Sequence, residues 1–132
     1  MSSVVADTST WARRAQPAVA EALSQAVARN VLMMVPTVRL ELLWSARNAD
    51  AVSVESRWYD ALRQVELTPA IGRRAVAVQV ALARRGHHRG PSASDLLTAA
   101  SAEAVGAEIW HCDRDLELIA EVTGQPQRRV GE

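Results

Sequence analysis

Two short apolar runs on either side of an alanine-rich segment constrain the fold of this chain most. The first run is Val4 to Ala6, ending at Asp7, and the second is Val31 to Val35. Apolar runs of this length, bounded by polar or turn residues, are typical of strands that are buried on both faces. Between them, Pro17 to Arg29 repeats apolar residues at helical spacing and has proline in its first turn. The chain therefore opens as strand, helix, strand.

The same alternation continues along the rest of the chain. Helical periodicity predicts further helices, and two more apolar stretches predict strands. Alternating strands and helices favour an α/β fold with three layers, in which helices cover both faces of a mainly parallel sheet. The predicted helices are Thr37 to Arg47, a segment carrying Val54, Trp58, Leu62 and Val65, a segment carrying Ile71, Ala75, Val78 and Leu82, Ala93 to Val105, and Asp113 to Val122; the predicted strands are Val65 to Leu67 and Glu108 to Cys112.

The composition limits what can fill the core and what can attract a partner. Only 4% of the residues are aromatic and none is phenylalanine, so aliphatic residues must fill the interior, helped by Trp11, Trp44, Trp58 and Trp110. All fifteen basic side chains are arginine, and fifteen acidic residues balance them. Net charge therefore gives no argument for nucleic-acid binding, which would need local segregation of charge or bound metal ions.

The cysteine count and the hydropathy indicate a cytoplasmic location. Cys112 is the one cysteine, so no intrachain disulfide is possible and no oxidising compartment is implied. Asp7 interrupts the first apolar run, so the N-terminus does not resemble a secretion signal. No stretch approaches the eighteen apolar residues of a membrane span, and we expect no membrane association.

Acidic residues from four segments follow or adjoin the predicted strand ends. Asp7 follows the first strand, Asp113 and Asp115 follow the last, Glu41 lies one turn into the helix after the second, and Asp95 begins the helix after the Gly86–Pro91 loop. In parallel α/β sheets the carboxyl ends of the strands meet at one edge, where ligands bind. These carboxylates are therefore expected to converge there.

Each carboxylate also has a simpler interpretation. Asp95, Asp113 and Asp115 are suited to cap or precede helices, and Asp7 to cap a turn. Glu41, surrounded by leucines, would need a partner such as Arg39 or Arg47 if it were buried. As a joint cluster without His or Cys, however, they suit Mg²⁺ or Mn²⁺, which can activate water and stabilise charge in phosphodiester hydrolysis.

The order of these motifs along the chain resembles PIN-domain ribonucleases, in particular the VapC toxins of bacterial toxin–antitoxin pairs. The resemblance implies one PIN domain over residues 1–132, with 125–132 as a short tail that is loose or forms an edge strand. It also implies Mg²⁺- or Mn²⁺-dependent endoribonuclease activity, a cognate VapB-type antitoxin, a toxin homodimer and toxin–antitoxin hetero-oligomers. The motifs are Val4-Val5-Ala6-Asp7-Thr8-Ser9, Val35-Pro36 before Glu41-Leu42-Leu43, Ser94-Asp95-Leu96-Leu97-Thr98-Ala99-Ala100, and Asp113-Arg114-Asp115-Leu116.

The same resemblance assigns roles to individual residues. Asp7, Glu41, Asp95 and Asp113 match the catalytic acids, and Asp7, Asp95 and Asp113, with Asp115 assisting, match the metal ligands. His111 departs from the small polar residue usual two positions before the fourth acid; we interpret it as a strand-end histidine that is hydrogen-bonded locally. Candidate RNA contacts are Thr8, Ser9, Arg13, Arg14 and Arg89, with Arg84, Arg85, His87, His88 and Trp11 as weaker ones.

Two other functions are compatible with parts of this pattern. A PIN fold that binds RNA or protein but has weak catalysis is the main alternative, although retention of the acids argues against it. A phosphatase with Asp7 as nucleophile would want a second aspartate two residues later and a lysine for phosphate. Position 9 is serine and the chain has no lysine. Sequence reasoning therefore favours the nuclease.

Overall fold

The computed structural model describes residues 2–132 and has the predicted alternation of strands and helices. Each predicted helix has a counterpart, but the strand predicted at Val65 to Leu67 is wrong in position, because the strand there covers Arg63–Gln64. The tail, expected to be loose or an edge strand, forms an edge strand. The strands are β1 Val4–Ala6, β2 Leu32–Met34, β3 Arg63–Gln64, β4 Glu108–His111 and β5 Gln127–Arg129; the helices are α1 Thr8–Trp11, α2 Pro17–Ala28, α3 Pro36–Trp44, α4 Ala49–Asp60, α5 Pro69–Ala83, α6 Ala93–Ala104 and α7 Arg114–Thr123.

The five strands form one sheet in the order β3-β2-β1-β4-β5. Every pairing is parallel, so the prediction of a mainly parallel sheet is confirmed. The central strand β1 pairs on one side with β2 and on the other with β4, with Ala6 opposite Trp110. The carboxyl ends of β1, β2 and β4 therefore lie side by side at one edge of the sheet.

Side chains that alternate along the strands separate the core into two layers. Val5 and Ile109 point into a large cluster that α3, α5, α6 and α7 cover, whereas Val4 and Trp110 point into a smaller cluster beneath α2. Burying strands on both faces explains their continuous apolar sequence. In the described part of the chain, no helix is long and apolar enough to cross a membrane.

The prediction that the tryptophans belong to the core is wrong for Trp44 and Trp58, which are 87% and 75% exposed. The buried helical face predicted from Val54, Trp58, Leu62 and Val65 is wrong as well, because α4 ends at Asp60 and Val54 is exposed. The helix instead buries Tyr59, whose ring lies edge-on to Trp11 at 6.0 Å between centroids. One turn of chain then leads into β3, so the spacing of Leu62 and Val65 only coincides with the helical period.

Two glycines allow a test of the helix geometry. Gly124 ends α7 with φ 72°, a left-handed conformation in which a side chain is strained. We expect Gly124→Ala to cost about 1 kcal/mol of unfolding free energy. Gly72 lies inside α5 with open space around it, so Gly72→Ala should stabilise by about 0.5–1 kcal/mol. Urea unfolding would measure the stability of both variants. If both substitutions stabilised the protein, or both destabilised it, the helical position of one of these glycines would be wrong.

Candidate metal centre

Three aspartates converge at the carboxyl edge of the sheet. Asp7 directly follows β1, Asp113 comes two residues after β4, and Asp95 lies in the first turn of α6. Each offers one carboxylate oxygen, and these oxygens all lie within 4.8 Å of one another. We call Asp7, Asp95 and Asp113 the acidic trio. Thus three of the four predicted catalytic acids meet as the strand-end argument required.

Asp7 is the most deeply placed member of the trio, with 3% of its surface exposed. Its Oδ2 accepts hydrogen bonds from the Ser9 backbone N–H at 3.1 Å and from the Ser9 hydroxyl at 2.7 Å. The Ser9 oxygen in turn accepts the N–H of Cys112 at 2.9 Å, which ties Asp7 to the chain after β4. Burial raises the pKa of Asp7 against the lowering effect of Ser9, and the Glu41 charge adds to the rise.

Asp95 is fixed by the start of α6. Ser92 caps the helix by accepting the Asp95 N–H at 3.1 Å, and the Asp95 carboxylate accepts the Ser92 N–H at 2.9 Å. This reciprocal pair is a capping box, so the helix-cap interpretation of Asp95 is also correct. Burial raises the pKa of Asp95 to about 6, and the charges of Asp7 and Asp113 contribute. A cap residue is thus also a member of the trio.

Asp113 is the N-cap of α7, and its Oδ1 accepts the Asp115 N–H at 2.9 Å. Its own N–H donates to Nδ1 of His111 at 3.2 Å. His111 is fully buried, and its Nε2 contacts Oε1 of Gln127 on the edge strand β5. Because Nδ1 accepts, Nε2 is the ring nitrogen that donates to Gln127. His111 is therefore hydrogen-bonded locally, as its sequence position suggested, and one of these hydrogen bonds fixes the backbone of Asp113.

Glu41 stands apart from the trio, and its predicted partners are wrong. It is exposed on α3, and its Oε1 accepts hydrogen bonds from the Thr8 hydroxyl at 2.9 Å and the Ser94 hydroxyl at 2.8 Å. Arg39 instead pairs with Asp60 at 2.8 Å. Sequence reasoning weighed a nearby arginine against a metal site for Glu41, whereas the observed donors come from residues 33 and 53 positions away in the chain.

Asp115 also lies outside the trio, on the first turn of α7. Partial burial raises its pKa, and the neighbouring Asp113 charge raises it further. A Cβ added to Gly90 would come 3.1 Å from Asp115 Oδ1, so the loop before α6 approaches this carboxylate closely. Arg89 is exposed on that loop, next to Gly90. The loop therefore brings the backbone next to Arg89 close to Asp115.

The predicted RNA contacts divide into engaged and free groups. The hydroxyls of Thr8 and Ser9 are hydrogen-bonded to Glu41 and Asp7. Arg13 donates to the Ser9 carbonyl at 2.8 Å and to the Glu132 carbonyl at 2.7 Å, so it supports the chain beside Asp7. Arg14, which donates to the Trp11 carbonyl, and Arg89 remain on the surface. Of the arginines proposed from the sequence as phosphate contacts, Arg14, Arg84, Arg85 and Arg89 are exposed.

The donor set of the trio suits a hard divalent cation. Three carboxylates offer only oxygen ligands, and among residues 2–132 no arginine or histidine forms an ion pair with any of them. Burial raises the pKa values of Asp7 and Asp95, and the charges of Asp7 and Asp113 add to the rise at Asp95. A divalent ion would relieve both costs, and oxygen-only sites prefer Mg²⁺ or Mn²⁺ to Zn²⁺. The residues present therefore fit such an ion.

Comparison with known proteins agrees with this geometry. The PIN domain family model matches residues 4–122. Ribonuclease VapC2 of Mycobacterium tuberculosis is 41% identical over 112 residues, which cover 83% of this chain and 79% of that protein. Ribonuclease VapC18 of Mycobacterium tuberculosis is 35% identical over 122 residues, which cover 91% and 89% of the two chains.

Solved structures show the same fold at low sequence identity. A chain of VapBC2 from Rickettsia felis bound to a promoter DNA fragment superposes with a TM-score of 0.77 at 13% identity, covering 97% of this chain and 98% of that one. A chain of DNA-bound VapBC from Salmonella typhimurium gives 0.76 at 16% identity and covers 98% of both. The fold, the family match and the sequence relatives agree, and the chain belongs to the PIN-domain family and, within it, to the VapC ribonucleases.

Proposed function

We propose that this chain is the toxin of a type II toxin–antitoxin pair, an endoribonuclease that hydrolyses RNA phosphodiester bonds with Mg²⁺ or Mn²⁺. Asp7, Asp95 and Asp113 hold the ion, and Glu41 completes the catalytic set. The observation that carries the proposal is the convergence of three carboxylate oxygens within 4.8 Å of one another. Residues that only capped helices would have no reason to face each other at this cost.

The chain's own residues position the acids for this reaction. When bound, the ion neutralises charge on the scissile phosphate and lowers the pKa of a water molecule. Ser9 and His111 hold Asp7 and Asp113 in place. Both hydrogen bonds to Glu41 go to Oε1, so Oε2 is available to accept a hydrogen bond from the attacking water. Water adds to phosphorus and gives one proton to the Glu41 carboxylate, the bond to the leaving ribose oxygen breaks, and that oxygen receives a proton from bulk water.

The partners follow from the family and from one surface. The two structural relatives described above are VapBC complexes, and we propose a VapB-type antitoxin, a toxin homodimer and hetero-oligomers of the two for this chain. An apolar groove between α1, α2 and α4 supports a protein partner, because Val27 and Trp58 are exposed on it beside Leu23. An enzyme that acts on cellular RNA belongs in the cytoplasm, and we propose that location.

The purified chain, free of antitoxin, should cut folded RNA when Mg²⁺ or Mn²⁺ is supplied and should stop when EDTA removes the ion. Mapping the cleaved ends across a transcriptome after brief expression would identify the substrate. RNA that stays intact with both ions, while the protein still binds RNA or antitoxin, would favour the non-catalytic binding module instead.

A further inference from the structure

Two polar pairs connect α3 with α6, one above the other. In the core, the hydroxyls of Thr37 and Thr98 lie 2.6 Å apart, and both side chains are buried. One turn nearer the acidic edge, the Ser94 hydroxyl donates to Glu41 at 2.8 Å. Glu41 follows Thr37 by four residues, and Ser94 precedes Thr98 by four. The two helices therefore run antiparallel here, and the buried pair sets the register that brings Ser94 to Glu41.

This arrangement fixes one oxygen of Glu41 from two sides. Thr8, directly after Asp7, and Ser94, directly before Asp95, both donate to Oε1. The side chain of an exposed glutamate otherwise samples several rotamers, which would move its carboxylate by several ångströms. Because Thr8 and Ser94 are sequence neighbours of Asp7 and Asp95, their hydrogen bonds hold the Glu41 carboxylate at a fixed distance from the acidic trio. The second oxygen, Oε2, is left free.

We propose that Ser94 is a positioning residue for the cleavage reaction. Its hydroxyl holds the Glu41 carboxylate, and the buried Thr37–Thr98 pair fixes the register of the two helices that brings Ser94 to Glu41. The inference rests on the proposed nuclease function. Ser94 touches neither the RNA nor the ion in this role, because it acts through Glu41. Loss of its hydroxyl should therefore impair the chemical step more than substrate binding.

The kinetic test compares Ser94→Ala with Ser94→Thr, which restores a hydroxyl. We expect Ser94→Ala to lower kcat about tenfold and to leave KM for RNA within about threefold, since one of two hydrogen bonds to a charged group is lost. Ser94→Thr should recover most of kcat. In a Glu41→Ala background, adding Ser94→Ala should cause no further loss. Ser53→Ala, at an exposed serine of α4, is the matched control and should behave as wild type.

A spectroscopic measurement tests the contact without relying on cleavage. The side-chain carboxyl ¹³C resonance of Glu41, identified by its loss in Glu41→Gln, should move in Ser94→Ala, return towards the wild-type position in Ser94→Thr and stay unchanged in Ser53→Ala. An unmoved resonance, or wild-type kcat in Ser94→Ala, would overturn the positioning role. If the wild-type chain does not cleave RNA at all, the proposed function fails, whereas the resonance still decides whether Ser94 holds Glu41.

Discussion

Asp7→Asn should reduce the rate of RNA cleavage by a factor of about 10³ or more. A metal ion beside the reacting phosphate contributes several kcal/mol to transition-state stabilisation, and loss of a carboxylate that holds the ion removes much of it. Asparagine keeps the size of the side chain and an oxygen that can accept the two hydrogen bonds from Ser9. It removes the negative charge of a residue that is 3% exposed. The fold should survive, since burying a neutral amide costs less than burying a carboxylate.

The measurement is the single-turnover cleavage rate of one RNA, together with the circular dichroism spectrum of the variant. Asp50→Asn is a matched control, because it makes the same substitution at an exposed aspartate outside the trio, in the first turn of α4. It should cleave at the wild-type rate. Cleavage by Asp7→Asn at more than about a tenth of the wild-type rate would remove Asp7 from the ion site.

Asp95→Asn should stabilise the ion-free protein at neutral pH and prevent its stabilisation by Mg²⁺ or Mn²⁺. The folded state raises the pKa of Asp95 from 3.8 to about 6, chiefly by burial. A carboxyl with a raised pKa binds its proton more tightly in the folded state, so its contribution to stability is lost as the pH rises from about 4 to about 6. At pH 7.5 this charge costs about 1–2 kcal/mol after allowance for solvent screening.

Urea unfolding in EDTA would measure this difference at pH 7.5 and at pH 4.5. The variant should be more stable than wild type at pH 7.5, and the gap should narrow at pH 4.5, where wild-type Asp95 is protonated. With the ion at about a hundred times its dissociation constant, the wild-type protein should gain about 2.7 kcal/mol and overtake the variant. If the variant is instead less stable than wild type at pH 7.5 in EDTA, the ionised Asp95 carboxylate stabilises the ion-free protein and this prediction is wrong.

Sequence patterns were sufficient for the sheet and for the acidic trio because both depend on local signals. A strand buried on both faces must be apolar throughout, as Val4 to Ala6 is, and the residue after such a strand must lie at the carboxyl edge. The capping box that fixes Asp95 is also visible, since Ser92 and Asp95 have the required spacing. Topology then brought Asp7, Asp95 and Asp113 together.

What the sequence did not reveal depends on contacts between distant segments. One interpretation paired Glu41 with Arg39 or Arg47, but hydroxyls of α1 and α6 donate hydrogen bonds to it instead. Trp44 and Trp58 were assigned to the core by residue type, although both side chains are largely exposed. Asp115 was grouped with Asp113 by proximity in sequence, yet the turn of α7 directs it towards Gly90. Each outcome is set by helix packing, which local periodicity does not encode.

The strand order has a consequence for how the protein is made. β1 leaves the ribosome first, and its neighbour β2 follows within about thirty residues, but its other neighbour β4 begins only at Glu108. Asp7 therefore has no Asp113 beside it until translation has passed the end of β4. A nascent chain that stops before β4 lacks Asp113, so its acidic trio is incomplete, and we expect it not to cleave RNA.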